Sequence, residues 1–233
     1  MPSIPLIEDL TVGALPAGSN LLVEFDAASQ WYLMAATIVA GWMKTDGTVN
    51  YTADGQSPQT IRMQLNRLGL PTDELEKSDK LQIHDWYTST LGLKSKEKFA
   101  VQSLKVSDVS IDWSKVMKES SERPNLLRIV DNASMMTRFN EERAWVEIEL
   151  TRSFPRSLIQ KSNLILGIIR EFHSGQAYKA LESAVEGVID VKVEEVGGEV
   201  KNLIRIRKML NAPFDGRWHK LSIGENFEVT LET

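Results

Sequence analysis

The sequence predicts an α/β protein with a mainly parallel central sheet flanked by helices and extended on one side by antiparallel hairpins. Three observations carry this expectation. Short, continuous apolar runs alternate with helical periodicity over the first two thirds of the chain, as in βαβ units whose strands are covered on both faces. The last third changes to period-2 runs joined at Gly197-Gly198 and again around Gly224, which is the signature of hairpins. The chain has 233 residues, 42% hydrophobic and 25% charged, the ordinary balance of a globular domain. No internal repeat and no linker divides it, so residues 1–233 are expected to form one domain.

Asn20 to Phe25 is the first strand, an apolar run of the kind buried on both faces. Asp26 can cap the helix that follows. Leu33, Met34, Ile38 and Met43 form that helix's apolar stripe, which stops near Gly47. Thr48 to Ala53 is the second strand. In SPQTIRMQLNRLGL, Ser57 is a good N-cap, Pro58 suits the first helical position, and Gly69 suits the stop. Lys80 to Trp86 reads as the third strand, and the polar, lysine-rich residues 87–107 as a variable loop or insertion. SIDWSKVMKESSERP reads as a helix halted before Pro124. NLLRIVD is the fourth strand. NEERAWVEIELTRSF begins a helix that Pro155 kinks or divides, and NLILGIIR is the fifth strand.

Composition excludes several classes. With no cysteine, the chain has no disulfide framework, thiolate metal site or cysteine nucleophile, and is compatible with a reducing cytosol; a cytoplasmic protein is expected. The net charge of −5 gives no global attraction to nucleic acid or to anionic membranes. The apolar stretch around Leu33–Met43 is shorter than the roughly 20 residues that a bilayer span needs, and the N-terminus does not read as a signal peptide. His84, His173 and His219 are far apart and show no metal-ligand spacing, so no metal is expected. His84 reads as a structural histidine. Glu171-Phe172-His173 follows the fifth strand, where an acid/base role is open.

Several separated stretches, in order, resemble the KaiC-like branch of the RecA superfamily. VGALPAGSNLLV (Val12 to Val23) looks like that family's entry into its phosphate-loop strand. SPQTIRMQLNRLG is similar to the helix after its second strand, and LLRIVDNASMM looks like its Walker B strand. VEGVIDVKVEEVGGEVKNLIRIRKM resembles its closing hairpin. The resemblance runs from about Val12 to Leu231 and implies a RecA-like P-loop NTPase fold.

The departures from the family pattern concern function. An intact phosphate loop, G-x-x-x-x-G-K-[ST], wraps phosphates in backbone N–H groups, neutralises them with lysine and holds Mg²⁺ with a hydroxyl. In register stand Phe25, Asp26, Ala27, Ala28, Ser29, Gln30, Trp31 and Tyr32. Phe25 and Gln30 replace the glycines, Trp31 the lysine and Tyr32 the Ser/Thr, with its hydroxyl about 4 Å further out. The family's glutamate pair before Ser-Pro, one member of which is the base, is here Gly55-Gln56. Asp131 keeps the Walker B position, where the family orients Mg²⁺ through water; without partners it can serve instead to cap the Asn132-Ala133-Ser134 turn. At the hairpin's end the family reaches a neighbouring subunit's site with Lys and Arg; Lys208 matches the lysine, while Leu210 stands for the arginine.

The expectation is therefore a protein without ordinary Mg-ATP binding or hydrolysis and without a cofactor. Trp31 and Tyr32 either fill the space of the phosphates or form a stacking platform for a different ligand. Arg205 and Arg207 share one strand face and, with Lys208, form either a solvated edge or an inter-subunit contact. The leading function class is a regulatory or scaffold protein acting on itself or on an active relative. The alternative is a pocket reused for another small ligand or for DNA, although four cations (Lys201, Arg205, Arg207 and Lys208) without interleaved aromatics make nucleic acid a weak reading.

Overall fold

The computed structural model describes residues 4–11, 14–101, 111, 114, 123–137 and 142–232. Its strands join in one sheet of order β10-β9-β8-β7-β1-β6-β5-β2-β3-β4. β1 (Asn20–Phe25) lies between β6 (Asn163–Ile169) and β7 (Gly187–Val196), parallel to both. β5 (Leu126–Val130), β2 (Thr48–Ala53) and β3 (Leu81–Asp85) continue the parallel array. All six residues of β1 and all five of β5 are buried, the reason these segments are mainly apolar, with Glu24 and Arg128 as buried charged exceptions.

The hairpins fall where the period-2 pattern places them. β7 turns into β8 (Glu199–Met209) through Gly197 (φ +64°) and Gly198 (φ +81°), a pair of positive φ values that only glycine adopts without cost. β9 (His219–Ile223) and β10 (Val229–Leu231) complete the antiparallel side.

Helices cover both faces. α1 (Trp31–Lys44), α2 (Pro58–Arg67) and α3 (Thr72–Lys77) lie on one side, where Met34, Ile38, Ile61 and Leu65 pack against Val49, Tyr51 and Ile129. α5 (Glu142–Ile148), α6 (Phe154–Gln160) and α7 (Gly175–Ala184) lie on the other, around Trp145, Phe154, Leu166 and Leu181. Ser57 caps α2 as expected, its Oγ accepting from the Thr60 N–H at 3.1 Å. Pro155 does not break the chain sharply: α5 runs through a π-helical turn, Glu149–Ser153, into α6. That wider turn accommodates a residue that has no N–H to donate.

Three expectations change, and one falls mostly outside the described residues. The stretch 87–107 is not wholly a loop: α4 (Tyr87–Thr90) makes one turn and β4 (Phe99–Ala100) pairs with the end of β3, while residues 102–107 lie outside the described residues. The helix expected before Pro124 also lies outside them, except for Ile111 and Ser114, which are helical. α3 and α7 are additional helices; Ser174, whose Oγ accepts from the Ala177 N–H at 3.2 Å, was a legible start for α7. Finally, Asp26 does not cap α1. Its backbone N–H donates to the Val191 carbonyl (2.9 Å) and its Oδ2 accepts from the Val193 N–H (2.9 Å), so it extends the β1–β7 pairing by a side chain. The start of α1 is held instead from β8, where Asn202 Oδ1 accepts from the Gln30 N–H at 3.0 Å.

Candidate functional site

The C-terminal ends of β1, β2, β5 and β6 meet at one edge of the sheet, the edge where open α/β folds bind ligands. The chain leaves β1 through Asp26–Gln30, with Ala27 and Ala28 exposed and Ser29 and Gln30 half-buried. It then turns inward. Trp31 is 0% exposed. Its ring stacks on Phe25, centroids 5.7 Å apart with 25° between planes, and its indole N–H donates to the Asp131 backbone carbonyl at 2.6 Å. Tyr32 meets Phe25 edge-on at 5.9 Å, and its hydroxyl accepts from Asn132 Nδ2 at 2.9 Å. Burial, reinforced by Asp131, pushes the Tyr32 phenol up to about 12.

Two glycines make room for these aromatics. A Cβ on Gly167 of β6 would stand 2.6 Å from the Asp131 carbonyl oxygen and 2.8 Å from Trp31 Nε1. A Cβ on Gly55 would stand 2.2 Å from the Tyr32 hydroxyl. Gly55 therefore does more than lack a carboxylate; its missing side chain is where Tyr32 sits.

Asp131 has a structural task. Its Oδ1 accepts from the backbone N–H groups of Asp54 (2.8 Å) and Gly55 (2.9 Å), which ties the exit of β5 to the exit of β2. Burial pushes its carboxyl up to about 7 against those hydrogen bonds. Gln56 turns aside, its Nε2 donating to the Tyr51 hydroxyl at 3.2 Å.

Sequence reasoning missed Asp54. It precedes the Gly55-Gln56 pair, is 1% exposed, and neither carboxyl oxygen has a hydrogen-bond partner. Burial first, then Asp131, Glu149 and Asp85, hold its carboxyl well above the usual range. An acid at the end of a buried strand, next to a strand that ends in Asp131, was the available signal.

The basic stretch is internally engaged. Arg207 pairs with Glu24 (2.6 Å), Glu182 (3.0 Å) and Asp190 (3.2 Å), and Arg205 pairs with Asp190 (2.8 Å) while its guanidinium lies 4.4 Å over the Trp218 ring. Lys208 Nζ donates to the carbonyls of Glu182 and Val185, each at 2.7 Å, at the C-terminal end of α7. The face is thus a network over two buried acids rather than a row of solvated cations. Leu210, next in line, is 65% exposed.

The histidines do not gather. His84 is buried, and desolvation pushes it down to about 3, so it is a neutral core residue. His219 lies beside Asp215 on the antiparallel side. His173 stacks on Trp145 at 5.0 Å, with Nε2 2.7 Å from Ser134 Oγ and Nδ1 3.2 Å from Glu142 Oε2. That Ser-His-Glu order has the form of a hydrolytic triad. Ser134, however, is 0% exposed and its Oγ also accepts from the Ile169 N–H at 2.8 Å. The chain of bonds ties β5, β6 and α5 together and presents no accessible nucleophile. Glu171 is exposed in a left-handed turn (φ +60°), away from this chain. Among the described residues no group of His, Asp or Glu is placed to hold a metal ion, and no helix is long and apolar enough to cross a membrane.

The family described as "ATPase: KaiC" matches residues 3–231. A UPF0273 protein of Thermotoga maritima is 21% identical over 224 residues, 94% of this chain and 90% of the relative. The crystal structure of a KaiC-like protein from Pyrococcus horikoshii OT3 superposes with a TM-score of 0.76 at 18% identity, over 100% of this chain and 97% of that one. The structural likeness carries the fold, a RecA-type α/β domain with a mostly parallel sheet and antiparallel C-terminal strands. With the match spanning nearly its whole length, the chain belongs to the KaiC ATPase family.

Proposed function

We propose that this protein is a non-catalytic member of the family, a pseudo-ATPase that acts through protein contacts as a regulatory or scaffold subunit. The observation that carries the reading is the occupied phosphate position. Trp31 is fully buried where the family has its lysine, hydrogen-bonded to Asp131 and fitted against Gly167. Mg-ATP does not fit these residues. No lysine neutralises phosphate, and one Asp131 oxygen is taken by the amides of Asp54 and Gly55. Asp54 is no substitute for the lost glutamate pair, because its carboxyl is buried away from solvent, where an attacking water would have to be held.

The same fit supports a fold that needs no nucleotide to hold its strand ends together. What such a subunit keeps is a surface, and with Leu210 in the place of an arginine that surface lacks one of the charges by which the family reaches into a neighbour's site. The partner is a second copy or an active relative. Calorimetric titration with Mg-ATP tests the first half: no saturable heat is expected, and micromolar binding abolished by Asp131→Ala would overturn it. Native mass spectrometry of the protein recovered from its own cells tests the second: a stable complex is expected, and a lone monomer counts against the scaffold role.

A further inference from the structure

Two exposed surfaces of opposite charge stand near the two ends of the strand order. After β3 the chain passes through α4 into residues 91–98, where Leu91 and Leu93 are exposed. From there outward and inward positions alternate: Lys94, Lys96 and Lys98 are exposed, while Ser95 and Glu97 are half-buried. The inward pair pins the segment to the body. Ser95 Oγ donates to Asp85 Oδ2 at 2.5 Å, and Arg62 donates to the two oxygens of Glu97 at 2.8 and 2.6 Å. Arg62 is held in turn by Glu76 of α3 at 2.6 Å. The lysines are therefore presented as a fixed row, and Lys94 and Lys96 form no hydrogen bond or ion pair with any described residue.

On the other side, β7 and β8 run past the end of β1. Pairing with β1 ends at Val191 and the Asp26 side chain reaches Val193; beyond them residues 194–200 are all exposed. In that finger Glu195 stands opposite Val200 and Val196 opposite Glu199, so each face shows one valine and one glutamate. Glu194 pairs with Lys192, but Glu195 and Glu199 form no hydrogen bond or ion pair with any described residue. The tip is acidic and apolar, the counterpart of the basic and apolar segment after β3. The two do not meet within one molecule, because β1, β6, β5 and β2 lie between β7 and β3 and set them about 24 Å apart. β7 and β3 run in the same direction, so both surfaces leave the sheet at the same edge.

We propose that a second copy of this chain occupies each surface, the finger at residues 195–200 of one copy docking on residues 91–98 of the next. Valines then cover leucines and glutamates face lysines, an apolar contact placed in register by complementary charge. The two surfaces differ, so the contact is head-to-tail and repeats from copy to copy as a ring or a filament. The inference rests on the scaffold reading in taking a second copy as partner, and holds whatever the state of the nucleotide pocket. Sedimentation velocity of the full chain over a concentration series, at low and high sodium chloride, tests it. The wild type self-associates, more weakly at high salt. Lys94→Glu/Lys96→Glu and Glu195→Lys/Glu199→Lys, each alone, set like charges against each other and weaken self-association about tenfold or more. An equimolar mixture of the two variants restores it, since each altered surface meets the other's altered surface and the unaltered pair still matches. All four residues are exposed, so the circular dichroism of both variants should match the wild type. A monomeric wild type, self-association that the reversals leave unchanged, or a mixture that stays apart would overturn the contact. Lysine-dependent retention on heparin by a wild type that stays monomeric would also overturn it, assigning the row to another polyanion. A chain monomeric in sedimentation yet recovered from its cells with a different protein would refute this contact and leave the scaffold reading standing.

Discussion

Trp31→Ala is the sharpest test of the filled pocket. A tryptophan buries about 150–250 Å² of side chain, which at about 25 cal/mol per Å² is a transfer term of roughly 4–6 kcal/mol. Measured large-to-small losses for aromatic core residues are about 3–5 kcal/mol, since surrounding structure relaxes in part. Trp31 is fully buried, stacked on Phe25 and bonded to Asp131, with little to collapse into its place between two strands, so about 4 kcal/mol is expected. In a domain of this size that lowers the melting temperature by roughly 8–16 °C. Urea unfolding followed by circular dichroism gives the free energy. Trp31→Phe separates the two contributions, because phenylalanine keeps most of the apolar contact but orphans the Asp131 carbonyl, at about 1–2 kcal/mol. A loss below about 1 kcal/mol for Trp31→Ala would refute the claim that this side chain fills and closes the strand ends.

The remaining predictions are independent of nucleotide. Gly55→Ala should cost about 2 kcal/mol in a wild-type background, because its methyl meets the Tyr32 hydroxyl, and much less beside Tyr32→Ala; additive losses in the double-mutant cycle would sink this fit. Asp131 keeps its proton in the folded chain up to about pH 7 and gives it up near pH 4 when unfolded, so the stability it contributes is complete below about pH 4 and is lost as pH rises through 7. Asp131→Asn should therefore flatten the dependence of urea midpoints on pH over that window, and an unchanged slope counts against a protonated Asp131. Arg207→Ala removes a partner from buried Glu24 and Asp190 and should cost about 2 kcal/mol, less than a fully buried pair because Arg207 is a third exposed and Arg205 still holds Asp190; no measurable change would make the network incidental. Ser57→Ala should cost about 1 kcal/mol through the lost cap on α2, read as a shift in melting temperature, with no shift the contrary result.

Much of this fold was legible in the chain. A run such as Leu21–Val23 is apolar because both faces of β1 are covered, and Gly197-Gly198 is a turn because both residues need positive φ. Ser57-Pro58 marks a helix start through a local hydrogen bond and a fixed φ. These are properties of neighbours in sequence. The missing glycines, lysine and glutamates of the nucleotide site were equally plain, because that chemistry depends on residue type at fixed spacing.

What filled the place of the missing groups was decided across the fold. Trp31 reads from sequence as an aromatic in a helix's first turn; only the packing of β6 and β5 against it reveals Gly167 as its socket and the Asp131 carbonyl as its acceptor. Asp26 has the sequence of a cap, but a neighbouring strand offered its carboxylate a better-placed donor at Val193. Asp54 drew no notice, since a carboxyl's proton affinity depends on burial and on acids such as Asp131 that lie far away in sequence. Periodicity and turn chemistry are short-range and are written into the sequence; sockets and shifted proton affinities arise between strands and helices, and only the folded chain brings them together.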